Sequence, residues 1–272
     1  MKIKTALTIA ATVAFVLSTS MAFAEKLVIK GSTTVLPIAQ KCVEAYMKEN
    51  PGVKISLSGG GSGNGIKALL DGSTDIATAS RFIKAKEIKI AAEKGVFPVP
   101  FAVAYDSILP IVHPGNPLTN ISISQLKDIY MGKIRNFREI GGLDLKIVVC
   151  SRDTSSGTYE TWEKKVMQKR RVSPRVQIMA SNGAIVQAVS NNRHAIGYIG
   201  IGYLSPSVKA LSVNGIAGSE KTTLDGSFPI SRPLFMFTNG WPGGRALDFI
   251  NYVLSPDRGQ NHVAASGYVR LY

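Results

Sequence analysis

The stretch LVIKGSTTVLPIAQKCVEAYMKENPGVKISLSGGGSGNGIKALL, residues 27–70, decides the fold class. Leu27–Lys30 is a short apolar run and predicts a strand. Ala39, Cys42, Val43, Tyr46 and Met47 then recur at helical spacing, and Asn50-Pro51-Gly52 stops that helix. Val53–Leu57 returns to strand, Ser58–Gly65 is a glycine-rich turn, and Ile66, Leu69 and Leu70 mark a short helix. Strand and helix in strict alternation predict an α/β protein with mostly parallel central strands.

The alternation continues outward. Asp75–Ala79 predicts a strand and Ile83–Glu93 a helix ending at Gly95, and Ser122 with Gln125 forms a capping box for a helix through Tyr130. Leu145–Cys150 predicts a strand, Thr158–Gln168 and Asn182–Asn192 helices, and Ala195–Tyr203 a glycine-laced strand region. Leu247, Ile250, Val253 and Leu254 define a last helix. Two long extended stretches, Pro98–Pro110 and Ser227–Thr238, lack helical periodicity and have prolines at their margins. They are where the chain would cross between two lobes.

Of the 272 residues, 45% are hydrophobic and 18% charged, a globular composition. Residues 1–24 have a basic start (Lys2, Lys4), an apolar stretch Ala6–Leu17 and the ending Ala22-Phe23-Ala24. This predicts a signal peptide cleaved before Glu25, hence export to the periplasm. The stretch is too short for a spanning helix, which needs about 20 apolar residues. With Glu at position 25 and no cysteine there, no lipid anchor is expected. Cys42 and Cys150, the two cysteines, each sit in an apolar run and are expected as buried free thiols. The net charge of +14 suits either an anionic partner or a solvated basic surface. The densest basic run, Lys164 to Arg171, lies opposite Trp162 and Val166 and is expected to face solvent. No helix-turn-helix, RNA-recognition or zinc pattern points to nucleic acid.

Three clusters of small polar residues fall where a strand meets a helix: Gly31–Thr34, Ser58–Gly65 and Ser151–Thr158. Each offers hydroxyls together with first-turn N–H groups that have no intrahelical partner, and these groups with the helix dipole favour an anion. Three such ends converging on one tetrahedral anion would supply about a dozen donors. Gly59–Gly65 fits neither G-x-x-x-x-G-K-[ST] nor G-x-G-x-x-G, which disfavours nucleotides. Catalysis finds little support. Ser62 has Gly60 before it but Asn64 where the nucleophile elbow needs glycine, and Ser124-Gln125-Leu126-Lys127 lacks its companion boxes. His113, His194 and His262 are isolated, so no metal site, cofactor or enzyme activity is expected.

On these clusters the chain resembles the phosphate-binding proteins of bacterial phosphate ABC transporters. The resemblance is carried by Gly31-Ser32-Thr33-Thr34-Val35-Leu36-Pro37, Gly60-Gly61-Ser62-Gly63, Asp75-Ile76-Ala77-Thr78-Ala79-Ser80-Arg81 and Arg152-Asp153-Thr154-Ser155-Ser156-Gly157-Thr158. Weaker echoes are Ala104–Leu109, Gln125–Asn136 and Ser231-Arg232-Pro233-Leu234. It implies a two-lobed periplasmic solute-binding protein hinged over inorganic phosphate, with residues 25–105 and 232–272 in lobe one and 106–231 in lobe two. It also implies an inner-membrane ABC permease as partner, and a monomer. Carried over residue by residue, it places phosphate contacts at Ser32, Thr33, Thr34 and Ser62, and at Arg152, Ser156, Gly157 and Thr158. Asp75 matches the family's carboxylate acceptor, and Ser80 and Arg81 stand as direct or supporting contacts. One departure concerns Arg152: where some members carry an aspartate two residues on, this chain has Thr154, with Asp153 adjacent.

A carboxylate in an anion site selects by proton count. Phosphate near neutral pH still has a hydrogen to donate to Asp75, whereas sulfate has none and would meet like charge, losing about 1–3 kcal/mol for the missing bond alone. The competing expectations are a binding protein for sulfate, molybdate or tungstate, and a secreted polyanion-binding or adhesion protein using the basic surface. A secreted phosphate-ester hydrolase lacks a nucleophile with its base.

Overall fold

The computed structural model describes residues 26–272. The expected signal peptide and its cleavage point lie outside the described residues.

The chain builds β1 (Lys26–Gly31), α1 (Leu36–Glu49), β2 (Lys54–Gly59), α2 (Ser62–Leu70), β3 (Ile76–Ala79) and α3 (Ala85–Glu93) in the predicted order. It then runs through β4 (Pro98–Val112), β5 (Asn120–Ile121), α4 (Ile123–Tyr130), β6 (Val148–Arg152) and α5 (Gly157–Lys165). β7 (Gln177–Met179), α6 (Asn182–Ser190), β8 (Ala195–Gly200), β9 (Lys209–Ala210), β10 (Ser212–Val213) and α7 (Glu220–Leu224) follow. β11 (Ser231–Asn239), α8 (Gly244–Leu254) and α9 (Gly259–Ala265) close the chain. Local chemistry sets several boundaries. The Ser122–Gln125 capping box opens α4 as expected, and α5 ends three residues before the predicted Gln168 because Gln168 and Lys169 turn to φ 51° and 63°. The basic run beyond Trp162 is exposed while Trp162 and Val166 are buried, as its spacing predicted.

One curled sheet runs β2-β1-β3-β11-β4-β8-β6-β7, with β9 alongside β4. The strands are parallel only toward its two ends: β1 with β2 and β3, and β6 with β7 and β8. Its centre is antiparallel, because β11 pairs that way with both β3 and β4, and β4 with β8. The expectation of mostly parallel central strands is corrected here: the long connections that cross the molecule return against the direction of their neighbours. β4 is one 15-residue strand, pairing with β11 through Ser107 and with β8 from Ile108 onward. The molecule is therefore two-lobed, with β4 running through both halves and β11 beginning at the crossing, paired with the first part of β4.

Side-chain alternation explains the packing. In β11, Leu234 and Met236 face a core completed by α1, α8 and α9, while Phe235 and Phe237 face a second core under α2 and α3. A third core fills the other half around Ile108–Val112, Trp162 and Tyr198. There Trp162 of α5 stacks on Tyr198 of β8 at 4.2 Å and 11°, fixing the helix over the sheet. Cys42 and Cys150 are both buried and unbonded, in different cores. Among the described residues, no helix is long and apolar enough to cross a membrane.

Candidate functional site

Parallel strands point the helices that follow them toward one edge of a sheet. The C-terminal ends of β1 and β2 therefore open α1 and α2 on the same side, and β6 and β7 do the same for α5 and α6 in the other half. Four helix starts face one another across the cleft, each with first-turn amides free of intrahelical bonds.

The predicted clusters meet there. Thr34 Oγ1 lies 2.8 Å from Thr158 Oγ1, 124 residues along the chain. Ser62 Oγ accepts from the Ser80 N–H at 2.9 Å and lies 3.3 Å from Ser80 Oγ. Gly157 closes against both, since a Cβ there would stand 2.4 Å from Ser62 Oγ and 2.7 Å from Ser80 Oγ. Gly61, at φ 104°, abuts Ser155 in the same way, and the Gly63 N–H donates to the Ser155 carbonyl at 2.9 Å. Ser156 Oγ caps α5 by accepting from the Tyr159 N–H.

Asn182, the first residue of α6, completes the ring. Its Nδ2 donates to Thr33 Oγ1 at 3.3 Å and Thr34 Oγ1 at 3.1 Å. Arg232 Nη2 donates to Thr158 Oγ1 at 3.0 Å and approaches Thr34 Oγ1 at 3.5 Å. A hydroxyl whose lone pairs are taken by N–H donors has its own hydrogen left to give. Thr34, with both lone pairs engaged, gives its hydrogen to Thr158, and Thr158, which also accepts from Arg232, is left with its own hydrogen to offer an oxyanion.

Arg152 supplies charge. It is 1% exposed, and its Nε and Nη2 donate to the carbonyls of Met179 and Ala180 at 2.9 and 3.0 Å. Its Nη1 is buried without a hydrogen-bond partner. Asp153 is 3.9 Å away and spends Oδ1 on the Ser155 N–H instead. The departure noted beside Arg152 is thus resolved: backbone carbonyls orient the guanidinium, not a paired carboxylate. Burial pulls the Arg152 pKa down, opposed by Tyr198 and Asp153, but an arginine starts high enough to stay charged.

One assignment is corrected, and two others take supporting positions. Asp75 is exposed at the N-terminal end of β3, where its Oδ2 accepts from the Val28 N–H at 2.6 Å. The cleft lies at the other end, five residues and roughly 16 Å on at strand rise, and Ser80 stands there. Ser32 Oγ accepts from the N–H groups of Thr34 and Val35 and shapes the entry to α1. Arg81 is engaged by two carboxylates, Glu87 and Glu160, each at 2.7 Å.

The sequence reading missed Asn182, Asp106 and Arg232. Ser181-Asn182-Gly183 ahead of a helix is a fourth small-polar cluster of the kind already singled out. Asp106 is 0% exposed, and its Oδ2 accepts from Arg232 Nε and Nη2 at 2.9 and 2.7 Å while Oδ1 accepts from the Ile201 N–H at 2.9 Å. Burial raises its pKa, with Arg232 and the Ile201 N–H acting against that rise. The pair joins β4 to the start of β11, where β4 passes between the halves. Opposite charges inside two apolar crossing stretches were its signal.

Comparison with known proteins gives a consistent result. Residues 16–257 match the model of the PBP superfamily domain. The chain is 33% identical to the phosphate-binding protein PstS of Borreliella burgdorferi, covering 94% of this chain and 96% of that protein. It is 32% identical to PstS of Bacillus subtilis over 89% of this chain and 80% of that protein. Among solved structures, a protein of Clostridium perfringens described as a phosphate ABC transporter substrate-binding protein with bound phosphate superposes with a TM-score of 0.85. It is 33% identical, covering 91% of this chain and 100% of that one. An ABC-type phosphate transport receptor from Vibrio cholerae gives 0.71 at 28% identity, covering 89% and 99%. These relatives are named for binding and transport, and the chain belongs with them to the PBP superfamily, in the PstS family of phosphate-binding proteins.

Proposed function

We propose that this protein captures inorganic phosphate in the cleft between its lobes and delivers it to an ABC transporter. The observation that carries the reading is the convergence of four helix starts and donor-biased hydroxyls around a buried guanidinium with a free N–H edge. Oxyanion binding at such a place needs no catalytic group. A buried cation without an anion costs several kcal/mol, and a phosphate accepting from Arg152 Nη1 relieves that cost. Thr33, Thr34, Ser62 and Ser80 would contribute from one side, and Arg152, Ser156, Gly157, Thr158 and Asn182 from the other. Arg232, held by Asp106, supports Thr158.

Lobe one would comprise residues 25–105 and 232–272, lobe two residues 106–231. Closure brings the two donor sets together, so phosphate stabilises the closed state by differential affinity. The mature protein would begin at Glu25, act in the periplasm without a lipid anchor, and present its closed form as a monomer to an inner-membrane permease.

With Asp75 outside the cleft, its proton-counting argument no longer separates phosphate from sulfate, molybdate or tungstate. The test therefore titrates ligand-stripped mature protein with phosphate and with sulfate by calorimetry. The expected result is 1:1 phosphate binding, and the sulfate arm reads how far the cleft discriminates. No heat with phosphate overturns the reading, and equal affinities turn it into a general oxyanion receptor.

A further inference from the structure

We propose that Glu160 is the positioning residue that holds the closed cleft shut and so sets how long phosphate is retained, an inference that rests on the phosphate-binding reading above. Other contacts between the facing helix starts join neutral groups. Glu160 is different. It sits on α5 two residues beyond Thr158, and its Oε2 lies 2.7 Å from Arg81 Nε and 2.7 Å from Lys84 Nζ. Arg81 directly follows Ser80 at the cleft end of β3. The ion pair is therefore tied at both ends to residues of the candidate site, and neither end can move without moving the site.

Burial makes the contact count. The Arg81 and Glu160 side chains are 7% and 11% exposed, so solvent screens them far less than a surface pair. They line a groove of about 580 Å³ between the halves, together with Phe82, Lys84, Lys164 and Arg232. Arg232, in the wall of this groove, also reaches Thr158 and Thr34, so one side chain joins the groove beside Glu160 to the candidate site.

The cationic half is prepared without lobe two. Glu87 forks onto Arg81, accepting from Nη1 at 2.8 Å and Nη2 at 2.7 Å, and its Oε2 also accepts from the Lys84 N–H at 2.9 Å. Arg81 Nη1 further donates to the Phe82 carbonyl. If the lobes separate, Arg81 keeps Glu87 while Glu160 returns to water. Glu160 thus acts on the closed state alone, and it should alter release more than capture, as desolvated charge pairs do.

Stopped-flow measurement of association and dissociation of inorganic phosphate tests this. Glu160→Gln is expected to raise the dissociation rate by about tenfold or more and leave the association rate within about twofold. The melting temperature of the ligand-free variant should match the wild type, because the open form does not use the contact. Lys84→Met should show a smaller rise, and Lys84→Met with Glu160→Gln should release no faster than Glu160→Gln alone, since both remove one interaction. An unchanged dissociation rate in Glu160→Gln overturns the proposal, and should that variant not fold, an unchanged rate in Lys84→Met does so. A wild-type protein that takes up no phosphate fails the functional reading instead.

Discussion

At the scale of single residues, Arg152 carries the most consequence. Two carbonyls fix its plane and leave Nη1 as the free edge, so on the proposed reading it would meet an oxyanion through geometry as well as charge. Arg152→Met is expected to weaken phosphate binding by about 100-fold or more, on the order of 3 kcal/mol, in calorimetry. The ligand-free variant should be no less stable than wild type in urea, because a buried unpaired cation has been removed. A loss of stability without loss of affinity would assign Arg152 a structural task. Asp75→Asn, by contrast, should leave affinity within about twofold, as its carboxylate only accepts from the Val28 N–H. The hydroxyl clusters could be read from sequence because a helix start after a strand has known free donors. Which end of β3 faces them could not. Asp75 and Ser80 flank the same four-residue strand, and only its parallel register with β1 decides between them. Asp106 and Arg232 went unpaired for a related reason: each is a charge inside an apolar crossing stretch, but they are 126 residues apart and neither identifies the other as its partner.

At the scale of elements, the start of α5 does two jobs that a single substitution separates. Gly157 is the first residue of α5 and its φ is not positive, so its backbone suits alanine as well as glycine. A methyl group there would nevertheless stand 2.4 Å from Ser62 Oγ in the closed form. Gly157→Ala should therefore hold or raise the melting temperature of the ligand-free protein while reducing phosphate affinity by about 100-fold. Unchanged affinity would mean that the cleft binds phosphate without closing this far. The cores make a second prediction. Burial pushes the Cys42 thiol up to about 12 and the Cys150 thiol up to about 11. A raised thiol pKa keeps the reactive thiolate scarce at pH 8, so native protein should resist iodoacetamide and take up two labels only after denaturation, counted by mass spectrometry. Periodic helices such as α1 and α8 were legible because each buries a stripe against the sheet. The two-residue strands β5, β9 and β10 were not, since segments so short exist only through their neighbours.

At the scale of the molecule, the strand common to both halves would set how they move. On the proposed reading, β4 runs through both lobes and opening would bend it near Asp106, which Arg232 at the start of β11 holds, leaving the cores on either side intact. Each lobe then keeps its own donor set, and neither set alone surrounds an anion. The free energy of completing the shell is available only on closure, and it must exceed the cost of removing Glu160, Thr158 and Asn182 from water. Phosphate should accordingly make the particle more compact without changing its secondary structure. Small-angle scattering of ligand-stripped protein is expected to give a larger radius of gyration than the phosphate-saturated protein, with identical far-ultraviolet circular dichroism. The melting temperature should rise with phosphate concentration, a thousandfold excess over the dissociation constant adding about 4 kcal/mol. Gly157→Ala should lose the compaction even at phosphate levels that occupy it. If wild-type protein binds phosphate at 1:1 and its scattering does not change, the lobes are closed before the ligand arrives. Phosphate would then enter and leave without a bending of β4.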